Sequence, residues 1–220
     1  SDARRQMKRF GVWRSAPKAV RRHIERGVAG LTAETPLPGS PPLGRVRHFV
    51  AANNETALRA ACAKARSLGY RAAILTRRLR GEAREMGVLF ASLAAEMKAE
   101  GRPLRPPACI LTGGETTVTV RGKGIGGRCQ EMALSFAIEA AGQEEVGLLA
   151  AGTDGTDGPT NAAGAFSDGQ TKEWATRGII DMETLLQDNN SNDFFRKASS
   201  LYITGPTGTN VMDITVLIVR

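Results

Sequence analysis

From residue 46 onward the apolar positions change period repeatedly, from short runs to helical spacing and back. Val46–Ala52 is a short apolar run and predicts a strand. Ala57, Leu58, Ala61, Cys62, Ala65 and Leu68 then recur at helical spacing, with Asn53 or Asn54 placed to cap and Gly69 to stop. Tyr70–Thr76 predicts a second strand. Met86, Leu89, Phe90, Leu93 and Met97 mark one face of a second helix, which Gly101 and Pro103 end. Ala108–Thr112 and the alternating Thr116–Arg121 predict a third and fourth strand, and Cys129–Ala141 predicts a helix. Val146–Gly152 reads as a buried strand, with Leu201–Thr204 and Val211–Val219 following. Strands alternating with helices predict an α/β three-layer sandwich with a mostly parallel sheet and helices on both faces.

The first residues follow another pattern. Residues 1–35 read as short helices: Ser15 is placed to cap one, Pro17 fits its first turn, and Val20, Ile24 and Val28 share a face. Residues 36–45, with Pro36, Pro38, Pro41 and Pro42, can neither continue a helix nor join a central strand, so they predict a linker before a domain spanning 46–220.

Charge sharpens this division. Residues 1–50 hold 11 basic against 3 acidic side chains, the whole excess of 8, whereas residues 51–220 hold 19 of each. The high isoelectric point therefore belongs to one arm, and nucleic acid is not expected as a partner of the whole chain. Phe10 and Trp13 in that arm fit an apolar face as well as an RNA-binding one. No apolar run approaches the roughly 18 residues of a membrane span. Cys62, Cys109 and Cys129 stand 47 and 20 residues apart, and only two histidines are present. That spacing disfavours a disulfide scaffold or a zinc site and points to a cytoplasmic protein.

The candidate chemistry lies where strands end. Four predicted strands run into loops rich in Gly and Thr: Thr112–Glu115, Arg121–Arg128, Gly152–Thr160 and Thr204–Asn210. In open α/β sheets, ligands bind outside the carboxyl ends of the parallel strands, and small residues let a ligand approach the backbone. The most specific of these loops is Gly122–Arg128. Its glycines expose amides ahead of a helix start, and Arg121, Lys123 and Arg128 add positive charge, a combination that favours an anion. A hairpin turn with ordinary surface bases is the competing reading. The loop also fits GxGxxG, but no acidic residue follows about 20 positions on for a ribose, since Asp154 lies 27 after Gly127. Asp154 and Asp157, with Glu115 and Asp168 on other loops, are candidates for the protein share of a Mg²⁺ site. Asp-Gly sequences close Asx-turns equally well, so that alternative stands for both.

The strings ILTGGETTVTVRGKGIGGRCQEMALSFAIEA, AAGTDGTDGPTNAAGAFSDG and YITGPTGTNVMD closely resemble the C-terminal, MOFRL-type domain of the glycerate 2-kinase family. Some members of that family are named hydroxypyruvate reductases. The resemblance extends into Phe10–Leu37, which is similar to the end of the family's N-terminal Rossmann-like domain. It implies phosphoryl transfer from ATP to D-glycerate with Mg²⁺, in a cleft between two domains. It also implies roles for single residues. Arg128, Lys123 and Asp154 would be catalytic. Gly114, Glu115, Gly124, Gly126, Gly127, Thr153, Thr207 and Asn210 would bind phosphate or substrate, and Asp154, Asp157 and Glu115 would be the metal candidates. On this resemblance residues 1–35 are the helical remnant of a Rossmann-like domain, the chain needs that domain in cis or in trans, and a homodimer is allowed.

Two positions depart from the family pattern: Cys129 stands where Asn is usual, and Asn161 where Asp is usual. Two other functions compete, an NAD(P)H-dependent hydroxypyruvate reductase and a non-catalytic nucleotide- or anion-binding module.

Overall fold

The structure is a computed structural model and describes residues 2–33, 35, 36, 39, 41 and 43–220. Leu37, Pro38, Ser40 and Pro42 of the expected linker, and Glu34 before it, lie outside the described residues. The chain divides into two compact units, Ser1–Val50 and Ala51–Arg220.

The first unit holds helices α1 (Asp2–Arg9) and α2 (Lys18–Val28) and a 3₁₀ turn at Leu43–Arg45. Neither helix buries a residue. Pro17 precedes α2, as its locked φ favours, whereas the Ser15 hydroxyl donates back to the Val12 carbonyl instead of capping. The expected strand at Val46–Ala52 does not form. Those residues have no regular structure, and Phe49 and Val50 are largely exposed. An apolar run without neighbours to pair with has no reason to be a strand.

The second unit begins with α3 (Asn54–Ser67), entered through a capping box between Asn53 and Thr56. Strand β1 (Arg71–Leu79), helix α4 (Ala83–Glu100), strand β2 (Ala108–Gly114) and helix α5 (Arg128–Glu139) follow. After these come β3 (Val146–Gly152), β4 (Gly164–Asp168), three short helices α6 (Thr171–Arg177), α7 (Met182–Gln187) and α8 (Ser191–Lys197), β5 (Leu201–Tyr202) and β6 (Asp213–Val219). The segment expected as a fourth strand, Thr116–Arg121, is loop with one bridge from Thr117 to Glu82.

The six strands form a single sheet in the order β1-β2-β6-β3-β4-β5. Only β1 and β2 pair in parallel, and every other neighbouring pair is antiparallel. The expected mostly parallel sheet is therefore mixed and mostly antiparallel. The reason is insertion: β6 enters between β2 and β3, and β4 between β3 and β5, each running opposite to its neighbours. Even so, β1, β2, β3 and β5 share one direction. Their carboxyl ends lie on one edge, together with the starts of β4 and β6. The strand-end argument therefore holds although the parallel sheet does not.

Alternation along β6 sets the layers. Leu217 and Val219 face α4 and α5 with Ile110, Leu148 and Phe136, while Ile214, Val216 and Ile218 face α3 through Leu58, Cys62 and Cys109. Helix α5 is buried on nearly every side from Cys129 to Ala137, because α6–α8 cover its far face through Met182, Phe194 and Phe195. Gly87 of α4 sits directly against the α5 backbone at Met132, where a Cβ would collide.

Candidate functional site

The site lies along the edge where Leu79, Gly114, Asp213 and Gly152 stand in register, and where Gly164 pairs with Ala151 on one side and Tyr202 on the other. Asp213, the first residue of β6, is paired between two glycines, Gly114 and Gly152. Its carboxylate accepts two hydrogen bonds from Arg128, from Nε at 2.6 Å and from Nη2 at 2.8 Å. Glu115 lies 3.4 Å from the same guanidinium. The Asp213 bonds raise the pKa of Arg128 and fix its plane. Arg128 is the first residue of α5, so a buried helix and a central strand together position it. Asp213 is absent from the sequence-based set. A carboxylate heading an otherwise apolar strand was the available signal, since a charge there needs a partner.

Asp157 has a different task. It is fully buried and accepts from the amides of Cys129 (3.1 Å) and Gln130 (2.9 Å) and from Gln130 Nε2 (2.9 Å). It is the built-in anion at the start of α5, satisfying amides that the sequence reading left free for a ligand. Burial pushes its carboxyl above the usual range, while the three N–H donors pull it back. Gly127 has no room for a Cβ because this carboxylate lies against it.

The glycine loop is likewise held from within. Asn189 Oδ1 accepts from the amides of Arg121 and Gly122, Asp188 Oδ1 from Lys123, the Asp188 carbonyl from Gly124, and Asn190 Oδ1 from Ile125. Asn189 is itself fixed by Glu131, whose buried carboxylate also pairs with Arg84 at 2.9 Å. The glycines at 122, 124 and 126 are thus required by close approach to Asp188, Asn190 and Ser191. The amides of Gly126, Gly127 and Arg128 find no acceptor among the described residues. These groups border a cavity of about 480 Å³ lined by Thr116, Gly126, Gly127, Arg128, Gly158 and Asn189. Lys123 is exposed and does not line it.

The remaining predicted residues knit two loops together. Thr153 Oγ1 donates to the Met212 carbonyl and accepts from the Val211 amide, and Thr207 Oγ1 donates to the Thr153 carbonyl at 2.6 Å. Asn210 Nδ2 donates to Asp154 Oδ2 at 3.1 Å, while Asp154 Oδ1 accepts from Thr156 as in an Asx-turn. Gly114 adopts φ +146° against the Leu79 backbone. Asp154, Asp157 and Glu115 do not assemble, and no group of three acidic, His or Cys side chains among the described residues is placed to hold a metal ion. With Asp157 spent on α5, these three do not fit a shared Mg²⁺ cage. Cys129 is buried, and desolvation holds its thiol well above the usual value, so the helix start does not activate it. No helix among the described residues is long and apolar enough to cross a membrane.

Residues 108–213 match the MOFRL family. A glycerate 2-kinase from Pyrococcus horikoshii is 42% identical over 219 residues, which is 99% of this chain and 49% of that protein. A D-glycerate 2-kinase from Thermotoga maritima is 49% identical over 159 residues, 70% of this chain and 38% of that protein. The crystal structure of a glycerate kinase from Thermotoga maritima matches with a TM-score of 0.82 at 39% identity, covering all of this chain and 50% of that one. Other relatives bear the name hydroxypyruvate reductase. The chain spans about half the length of these two glycerate 2-kinases and of the crystallised chain, or less.

Proposed function

This chain carries a MOFRL family domain and belongs among the homologues of glycerate kinases, and from that premise we propose that it supplies one wall of an ATP-dependent D-glycerate kinase. The other wall comes from an N-terminal Rossmann-like domain, in cis or in trans, of which residues 1–35 are the adjoining helical end. The carrying observation is Arg128, clamped by Asp213 at a cavity where the amides of Gly126, Gly127 and Arg128 have no acceptor among the described residues. Phosphoryl transfer asks for positioning and charge neutralisation more than covalent chemistry, and an oriented guanidinium beside those amides provides both.

In this reading Arg128 neutralises the transferring phosphoryl oxygens, and Asp213 positions it. Asp154, steadied by Asn210, faces the acceptor hydroxyl, while Glu115 and the Gly114 turn complete the substrate side. Lys123 meets phosphate from the exposed face of the glycine loop. Asp157 positions Arg128 through α5. Mg²⁺ enters this reading only as the companion of ATP, and no carboxylate is assigned to it. The setting is cytoplasmic, in keeping with three free, buried cysteines.

The test pairs this chain with the N-terminal half of the Thermotoga maritima relative, fused or mixed, and follows ADP release by a coupled assay. D-Glycerate-dependent ADP formation is expected from the pair and none from this chain alone. Association by sedimentation without ADP formation, or hydroxypyruvate-dependent loss of NADH or NADPH, would overturn the proposal.

A further inference from the structure

The end of β1 carries Arg77, Arg78 and Arg80 within four residues, a feature that the Arg128 site does not use. Pairing with β2 is irregular there, with register shifts between Ile74 and Thr76 and between Thr76 and Leu79. The segment is nonetheless fixed. The Glu115 amide donates to the Leu79 carbonyl at 3.0 Å, and the Thr117 amide donates to the Gly81 carbonyl at 2.8 Å. Arg77 is neutralised by Glu55. Arg78 and Arg80 have no ion-pair partner among the described residues. Like charges this close are unfavourable unless something of opposite sign offsets them.

These arginines, with Gly114, Glu115 and Thr116, line a cavity of about 520 Å³. Thr116 and Thr117 also line the Arg128 cavity, so the two spaces meet at this pair of residues. Thr116 is 4% exposed, and its hydroxyl has no hydrogen-bond partner among the described residues. Leaving such a hydroxyl unpaired is unfavourable, and a ligand acceptor would relieve it. Glu82, the nearby carboxylate, is occupied by the hydroxyls of Thr117 and Thr119 and by the Thr119 amide. Glu115 is then the one carboxylate bordering this cavity, against two unpaired guanidiniums.

We propose that Arg78, Arg80 and Thr116 form a second anion subsite, continuous through Thr116 with the Arg128 cavity. The site as a whole then takes a ligand with two separated anionic groups. Guanidinium forks match phosphate and carboxylate oxygens alike, so a polyphosphate chain and a phosphorylated hydroxy acid are the two sources. The inference borrows the ligand's class from the phosphoryl-transfer reading but not its turnover.

Isothermal titration of the chain with inorganic tripolyphosphate, and separately with phosphoglycerate, tests it without any catalytic step. Replacing both guanidiniums in R78Q/R80Q should weaken the preferred probe by about tenfold or more, as the loss of charged hydrogen bonds predicts. The control R22Q/R26Q, which removes equal charge from α2, should change affinity less than about threefold, since exposed, screened charges contribute little. Thr116→Val should weaken binding several-fold while the melting temperature of the free chain holds or rises, since the unpaired hydroxyl is removed. Which probe responds identifies the source. Equal losses in both double variants, an unchanged Kd in R78Q/R80Q or Thr116→Val, or no binding of either probe would overturn the subsite. A chain that binds in this pattern yet shows no turnover with its complement would fail the kinase reading alone.

Discussion

Asp157→Ala should be among the most damaging single changes on the site edge, although the residue does not line the Arg128 cavity. The variant orphans two buried amides, those of Cys129 and Gln130, whereas Gln130 Nε2 keeps Thr160 as an acceptor at 3.1 Å. Two buried unsatisfied amides cost about 1–3 kcal/mol each, and relief of a desolvated carboxylate returns part of this, leaving a net loss of about 3 kcal/mol. For a chain of this size that is about 6–12 °C in melting temperature. Far-UV circular dichroism of thermal and guanidinium unfolding measures it. Asp181→Ala is the internal control: Asp181 caps α7 from an exposed position, accepting from the Thr184 amide at 3.0 Å, and should cost only about 1 kcal/mol. Equal, small effects from the two variants would refute the assignment of Asp157 as the buried cap that seats Arg128.

Two further outcomes follow from the same geometry. In the complemented enzyme, Arg128→Ala should lower kcat by about 10³-fold or more and also lower the melting temperature, because it leaves the buried Asp213 carboxylate unpaired; wild-type turnover in that variant would remove Arg128 from the mechanism. Burial pushes the Cys109 thiol up to about 11. A raised folded-state pKa contributes stability below the unfolded thiol value of about 8.5, and that stability is lost as pH rises toward about 11. Chemical denaturation should therefore show a steeper decline across that alkaline window than Cys109→Ala, in which the buried Cys129 thiol still contributes, and a curve shared by both proteins would discount Cys109.

Element boundaries were legible along much of the second unit where local period decided them, although the alternating Thr116–Arg121 forms no strand. Val146–Gly152 and the helix entered at Asn53 needed only alternation and a cap. Strand direction was not legible, because whether β6 enters beside β2 or at an outer edge depends on contacts more than 60 residues apart in sequence, such as Ile110 with Leu217. Helices α6–α8 were missed for a related reason. Each has seven residues or fewer, too short to display a period, and they persist because Met182, Phe194 and Phe195 close over α5. The isolated run at Val46–Ala52 shows the converse: strand-like composition without a neighbour to pair with.

At the site, glycine content pointed to the right place for a partly different reason. Backbone amides from Arg121 to Ile125 looked like an anion cradle, but Asp188, Asn189 and Asn190 already occupy them, and the glycines are small so that this second loop can approach. The dipole at the start of α5 is likewise met by Asp157. Positive charge at the Arg128 cavity then rests on Arg128, which is paired by Asp213 and approached by Glu115 as well. A cavity balanced in this way orients an anion more than it attracts one. Net attraction for a polyanion has to come from groups outside that balance. Arg78 and Arg80, which line the adjoining cavity, and Lys123 on the glycine loop are such groups on this chain, and the remaining wall of a full-length kinase would supply the rest. On this account the edge binds weakly alone and strongly when complemented, and removing the β1-end arginines lowers affinity while removing Arg128 lowers turnover.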